Sequence, residues 1–141
     1  MTLTIRAFQN EDEQAVIALW RDCGLVVPQN DPAKDIARKL EVDPDLFLVG
    51  LVDNAIAATV MGGYEGHRGW INYLAVEPSM QGKGHGRAMM VAIEKQLKDR
   101  GCPKINLQVR ASNSAALGFY AAIGYLNDNV IGLGKRIESD N

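Results

Sequence analysis

Residues 70–98 read WINYLAVEPSMQGKGHGRAMMVAIEKQLK, and the fold turns on this stretch. An apolar run ends at Val76, and a turn carrying Pro78 follows. Gly82, Gly84 and Gly86 then stand at every second position and lead into an amphipathic helical pattern. Strand, glycine-rich loop and helix in that order make a site for an anion. The first free N–H groups of a helix point out of its end, and the helix dipole adds partial positive charge there. Glycine at these positions lets a phosphate approach the backbone where a Cβ would obstruct it.

Downstream, Met89, Met90, Ile93 and Leu97 keep helical spacing as far as Gly101, and the methionine pair reads as core. Residues 104–110 alternate Ile105, Leu107 and Val109 with Asn106 and Gln108, the pattern of a strand. A helix separates it from the strand at 70–76, so the two are expected as parallel neighbours. Ser112 or Asn113 caps a further helix carrying Ala116, Phe119, Tyr120 and Ile123, stopped by Gly124. A closing hairpin over 125–137 and a polar tail, Glu138 to Asn141, are expected to follow.

Upstream, Leu3, Ile5 and Ala7 alternate as a first strand. Asn10 with Glu13 resembles a capping box for a helix with Val16, Leu19, Trp20 and Cys23 on one face, ended by Gly24. Asp31-Pro32 reads as N-cap and first position of a second helix, with Ala33, Ile36, Ala37 and Leu40 on its apolar face. Residues 45–52 and 55–64 are strands joined at Asp53-Asn54, whose residue types suit a tight hairpin. A second turn, Glu65 to Gly69, makes this an antiparallel meander.

The chain has 141 residues, 47% hydrophobic and 23% charged, enough for one core in one domain. Fifteen basic against seventeen acidic side chains argue against a dedicated nucleic-acid partner. No apolar run approaches a membrane span, and MTLTIRAF lacks the features of a signal peptide, so a cytoplasmic location is the default expectation. Cys23 and Cys102 fit no metal-ligand spacing and read as reduced, partly buried thiols.

Three phosphate loops can be set against Gly82–Arg87. A Walker loop needs Ser or Thr after Gly-Lys, where this chain has Gly84. A dinucleotide fingerprint needs a third Gly or Ala where this chain has Arg87 or Met89, and an acid where it has Asn106 or Gln108. The third pattern fits. Gln81-x-x-Gly84-x-Gly86, after Leu74-Ala75-Val76-x-Pro78, resembles the acyl-CoA motif of the GNAT N-acetyltransferase superfamily. Val109-Arg110-Ala111-Ser112-Asn113, Phe119-Tyr120 and Gly124-Tyr125 resemble that family's second signature. The nearest likeness is to bacterial ribosomal-protein alanine N-acetyltransferases, which share the VRASN run and the Pro-x-x-Gln approach to the loop.

The resemblance implies an α+β (mixed α/β) fold with a twisted, mostly antiparallel sheet, a splayed parallel strand pair at its centre and about four flanking helices. It implies a single N-acetyltransferase domain over 1–141, with acetyl-CoA as co-substrate and no metal. Leu74, Ala75 and Val76 would present backbone groups to the pantetheine arm. The N–H groups of Gly82, Lys83, Gly84, His85, Gly86 and Arg87 would cradle the pyrophosphate, with the Lys83 and Arg87 side chains either adding charge or simply solvated. Asn113 would cap its helix and bond the pantetheine, and Tyr120 would be the catalytic proton donor to the departing thiolate. A backbone N–H on the 70–76 strand would polarise the carbonyl.

The acceptor would be an amine, on a small molecule or a protein N-terminus, bounded by residues 24–44 and the Glu65–Gly69 turn. Glu41, Asp43 and Asp45 are either an attraction for a cationic amine or ordinary charged surface. Homodimers are common in the family, and the sequence leaves the assembly open. One departure stands out: the resembled ribosomal-protein enzymes carry a glutamate where this chain has Gln108, which takes no proton at neutral pH. Glu65 and His67 are conceivable bases, as is water. The departure keeps a second reading in play, a non-catalytic acyl-CoA-binding sensor. A nucleotide-binding protein, resting on the glycines alone, is the third.

Overall fold

A computed structural model describes residues 2–141. Five strands form one sheet in the order β1 (Thr4–Ala7), β2 (Phe47–Val52), β3 (Ala55–Tyr64), β4 (Gly69–Val76) and β5 (Ile105–Leu107). The first three pairings are antiparallel, and β4–β5 is parallel. Four helices flank it: α1 (Glu13–Asp22), α2 (Pro32–Leu40), α3 (His85–Asp99) and α4 (Ser114–Ala122). This is the mixed α+β architecture expected from the sequence, but the parallel pair lies at one edge of the sheet and not at its centre, because among the described residues no strand pairs beyond β5.

The sheet has a core on each face. Val16, Leu19 and Trp20 of α1 and Ile36 of α2 pack on Phe47, Val49, Met61 and Ala75. Met89, Met90, Ile93 and Leu97 of α3 pack on Leu48, Ala58, Val60 and Ile71 from the other side. Neighbours such as Phe47, Leu48 and Val49 point alternately up and down, so a central strand is apolar at every position.

Local chemistry accounts for most boundaries. Asp31 accepts from Ala33 N–H at 2.9 Å and Pro32 opens α2, as the sequence predicts. Asp53 and Asn54 both have positive φ, 51° and 66°, the hairpin geometry their residue types favour. The first capping box sits one residue earlier than expected, at Gln9 and Asp12, ahead of a short 3₁₀ turn. Asp12 accepts from Gln9 N–H at 2.8 Å and is held at 2.7 Å by Arg6, which draws its carboxyl below the usual range.

Two further expectations fail. β5 covers 105–107 and not 104–110, because its pairing with β4 ends at Ile71–Leu107. The closing hairpin over 125–137 does not form. The segment runs out irregularly, with Ile131, Leu133 and Ile137 about nine-tenths exposed. Its end is fixed by charge instead. Asp140 is buried, accepting from Asp31 N–H at 2.8 Å and Arg38 at 2.7 Å, while Lys34 donates to its carbonyl at 2.6 Å. The tail thus leaves the α3–α4 face, where Lys104 meets Asp128 at 2.7 Å, passes the Gln108 side chain at Gly132, and fastens to α2 on the opposite face.

Arg38 beside it and the Asp31 N–H hold the Asp140 carboxyl down at about 2. A depressed carboxyl stabilises the docked tail above its unfolded value near 4, and that stabilisation is lost as pH falls toward about 2. Asp140→Asn is therefore expected to release the tail at neutral pH. Limited trypsin digestion checks this: cleavage after Lys135 or Arg136 should run several-fold faster than in the wild type.

Candidate active site

The gap between β4 and β5 is the structural centre of the site. Parallel pairing stops at Ile71–Leu107, while β4 runs on to Val76. Residues 72–76 therefore have β3 on one side and no β5 partner on the other. Unpaired strand edges accept extended ligands by backbone hydrogen bonding.

The glycine loop lies at the end of that edge. Gln81 donates its side-chain amide to the Val76 carbonyl at 3.0 Å, which ties the loop to β4. Its glycines serve two needs. Gly82 and Gly84 have φ of 79° and 85°, a backbone that residues with a Cβ rarely adopt, and the space beside each is open. Gly86 instead permits close approach, since a Cβ there would lie 3.3 Å from the Phe119 ring of α4. Gly84 is the N-cap of α3, so the N–H groups of His85, Gly86 and Arg87 belong to the uncovered first turn. Lys83 and Arg87 are exposed. The His85 side chain is buried, and its Nε2 has no protein partner.

Gly86 brings α4 to the loop. Phe119 and Tyr120 meet edge-to-face at 5.1 Å, and Tyr120 meets Tyr125 in the same manner at 5.8 Å. Leu74 and Val76 of β4, Leu107 of β5 and Tyr120 all pack against the α3-side core, so Tyr120 is on the α3 face of the sheet. Burial pushes its phenol up, which keeps the proton on. Glu94 engages Tyr125 and not Tyr120, leaving the Tyr120 hydroxyl uncommitted to that carboxylate. Asn113 is the α4 cap, accepting from Ala116 N–H at 3.1 Å. It stands about 10 Å along the helix from Tyr120 at 1.5 Å per residue.

Other candidates fall elsewhere. Glu65 accepts from the N–H groups of His67 and Arg68, which draws its carboxyl down. Both Glu65 and His67 lie in the turn before β4, at the opposite end from the loop. Asp43 and Asp45 are engaged by Arg100, the former at 3.1 Å. Gln108 is exposed beyond the end of β5, against the tail. Among the described residues no cluster of His, Cys, Asp and Glu could hold a metal ion, and no helix is long and apolar enough to cross a membrane.

Sequence reasoning missed the support beneath β4. Tyr73 sits at φ 52° within a bulge, where the register slips between Thr59 and Met61. Such a backbone costs roughly 1–2 kcal/mol for a residue with a Cβ. Nothing local in INYLAV signals it, because the contacts that hold it come from α1, α2 and β3.

Residues 7–125 match the acetyltransferase (GNAT) family, and the chain belongs to that family. A Yersinia enterocolitica protein called an acetyltransferase is 49% identical over 138 residues, 98% of each chain. The PaiA N-acetyltransferase of Thermoplasma acidophilum, solved in complex with coenzyme A, shares the fold at 20% identity. Its TM-score is 0.81 over 94% of each chain. The ribosomal-protein-S18-alanine N-acetyltransferase of Escherichia coli also shares the fold, at 23% identity and a TM-score of 0.72. That alignment covers 87% of this chain and 77% of the other. The protein is thus an acetyltransferase by family, with a GNAT fold.

Proposed function

We propose that residues 1–141 are one N-acetyltransferase domain that moves the acetyl group of acetyl-CoA to a primary amine of a small molecule or protein N-terminus. The carrying observation is the conjunction of three features: the unpaired β4 edge, the glycine loop tied to it by Gln81, and the half-buried Tyr120 on the α3 face of the sheet, next to Phe119, whose ring meets Gly86 of the loop. Open space at Gly82 and Gly84 and the bare first turn of α3 fit a pyrophosphate. The backbone of Leu74, Ala75 and Val76 fits the amides of a pantetheine arm, and the free amide of Asn113 adds a donor.

Bound there, acetyl-CoA would supply the acetyl group as an activated thioester. Tyr120 gives its proton to the sulfur as the carbon–sulfur bond breaks and the carbon–nitrogen bond forms. The proton displaced from the amine nitrogen goes to solvent, and Tyr120 is reprotonated in turn. The helix-end charge contributes only about 0.3–1 kcal/mol at an exposed site, so direct N–H bonds carry most of the grip.

Thiol release from acetyl-CoA in the presence of an amine panel tests the reading. The expected result is turnover with at least one amine. Gln108, a non-ionisable residue where the resembled enzymes carry a glutamate, favours a second reading, an acyl-CoA sensor. Acetyl-CoA binding without transfer to any amine would select it. Gln81→Ala is expected to weaken acetyl-CoA binding several-fold in calorimetry under either reading, by freeing the loop from β4.

A further inference from the structure

Tyr73 interrupts the alternation of β4. Ile71 faces the α3 core, yet Tyr73, two residues on, faces the α1 core, and so does Ala75. The left-handed backbone at Tyr73 resets the faces of the strand. Strained conformations of this kind persist where their surroundings over-determine them, and they gather at functional sites.

Three contacts over-determine Tyr73. Its ring stacks on Trp20 with centroids 3.8 Å apart. Its hydroxyl donates to Asp35 on α2 at 2.6 Å. Its backbone carbonyl accepts from Thr59 Oγ1 at 2.8 Å. Thr59 is fully buried, and Trp20 Nε1–H donates to the same oxygen at 2.9 Å. An indole N–H can only donate and a hydroxyl has one proton, so the Thr59 proton must go to the Tyr73 carbonyl. In a trans peptide the carbonyl and the next N–H point in opposite directions. Holding the Tyr73 carbonyl toward Thr59 on β3 therefore turns the Leu74 N–H away from β3, and the far side of β4 is the gap.

We infer that Trp20 and Thr59 are positioning residues that aim the Leu74 N–H into the β4–β5 gap, as a donor to the thioester carbonyl oxygen of the acyl donor. The inference rests on the acetyl-CoA reading above. A donor fixed in advance by a buried relay does not reorganise when charge develops on that oxygen. Neither residue touches the donor, and the sequence signature of the loop contains neither.

The test uses [1-13C]acetyl-CoA and CoA with the wild type, Thr59→Val, Thr59→Ser and Trp20→Phe. Affinities come from calorimetry and carbonyl polarisation from the 13C shift of the bound acetyl group. In the wild type that resonance should lie downfield of free acetyl-CoA. Thr59→Val should return it toward the free value and weaken acetyl-CoA several-fold relative to CoA. Thr59→Ser should restore both, and Trp20→Phe, which leaves the hydroxyl free to rotate, should fall between. Should Thr59→Val not fold, Trp20→Phe carries the same reading. An unchanged bound resonance in variants that still bind CoA would overturn the relay alone. A wild type that binds neither CoA nor acetyl-CoA would overturn the parent reading and the relay with it.

Discussion

Tyr120→Phe is expected to lower turnover about 10²-fold or more while leaving acetyl-CoA affinity near the wild-type value. The ring would keep its edge-to-face contacts with Phe119 and Tyr125, so the fold should not register the change. Only the hydroxyl, and with it the transferable proton, is removed. Burial raises this phenol, so it stays protonated through neutral pH, as the proposed role of acid requires. Its loss should therefore slow departure of the thiolate more than binding. Thiol release under saturating donor and amine, set beside calorimetric affinity, separates the two. Equal turnover in the two proteins would remove Tyr120 from the chemistry.

Trp20→Ala is expected to have the largest effect on stability, about 3–5 kcal/mol. Trp20 is fully buried, stacks on Tyr73 and Phe47, and donates to Thr59. Truncation opens a cavity and leaves one hydroxyl short of a donor. A loss of that size lowers Tm on the order of 10 °C for a chain of this length. Thermal unfolding followed by circular dichroism checks it. A fall of a degree or two would mean that α1 does not pin the sheet as described.

The legible parts of the fold were those with local causes. Asp31-Pro32 and Asp53-Asn54 announce a helix start and a hairpin through their own chemistry, and the structure places both there. The glycine spacing and the Asn113–Tyr120 interval were legible because each lies in a single segment. What could not be read depends on partners far away in sequence. The apolar residues Leu126, Val130, Ile131 and Leu133 resemble strand material. Yet the tail's course is set by Asp140 meeting Arg38, 102 positions away. Tyr73 carries no sign of a left-handed backbone, since Asn or Gly would be the expected residue there. Its geometry is imposed by Trp20, Asp35 and Thr59. The first capping box moved to Gln9 and Asp12 because Arg6 on β1 claims Asp12.

The loop from Gly82 to Arg87 and the free edge of β4 are proposed to hold acetyl-CoA together. Backbone amide shifts of the 15N-labelled protein, followed through a titration with acetyl-CoA, test it most directly. Saturable changes are expected at residues 82–87 and 74–76, with smaller ones at Asn113 and Tyr120. Saturable binding whose shifts fall elsewhere, or no shift at the loop at saturating acetyl-CoA, would contradict it.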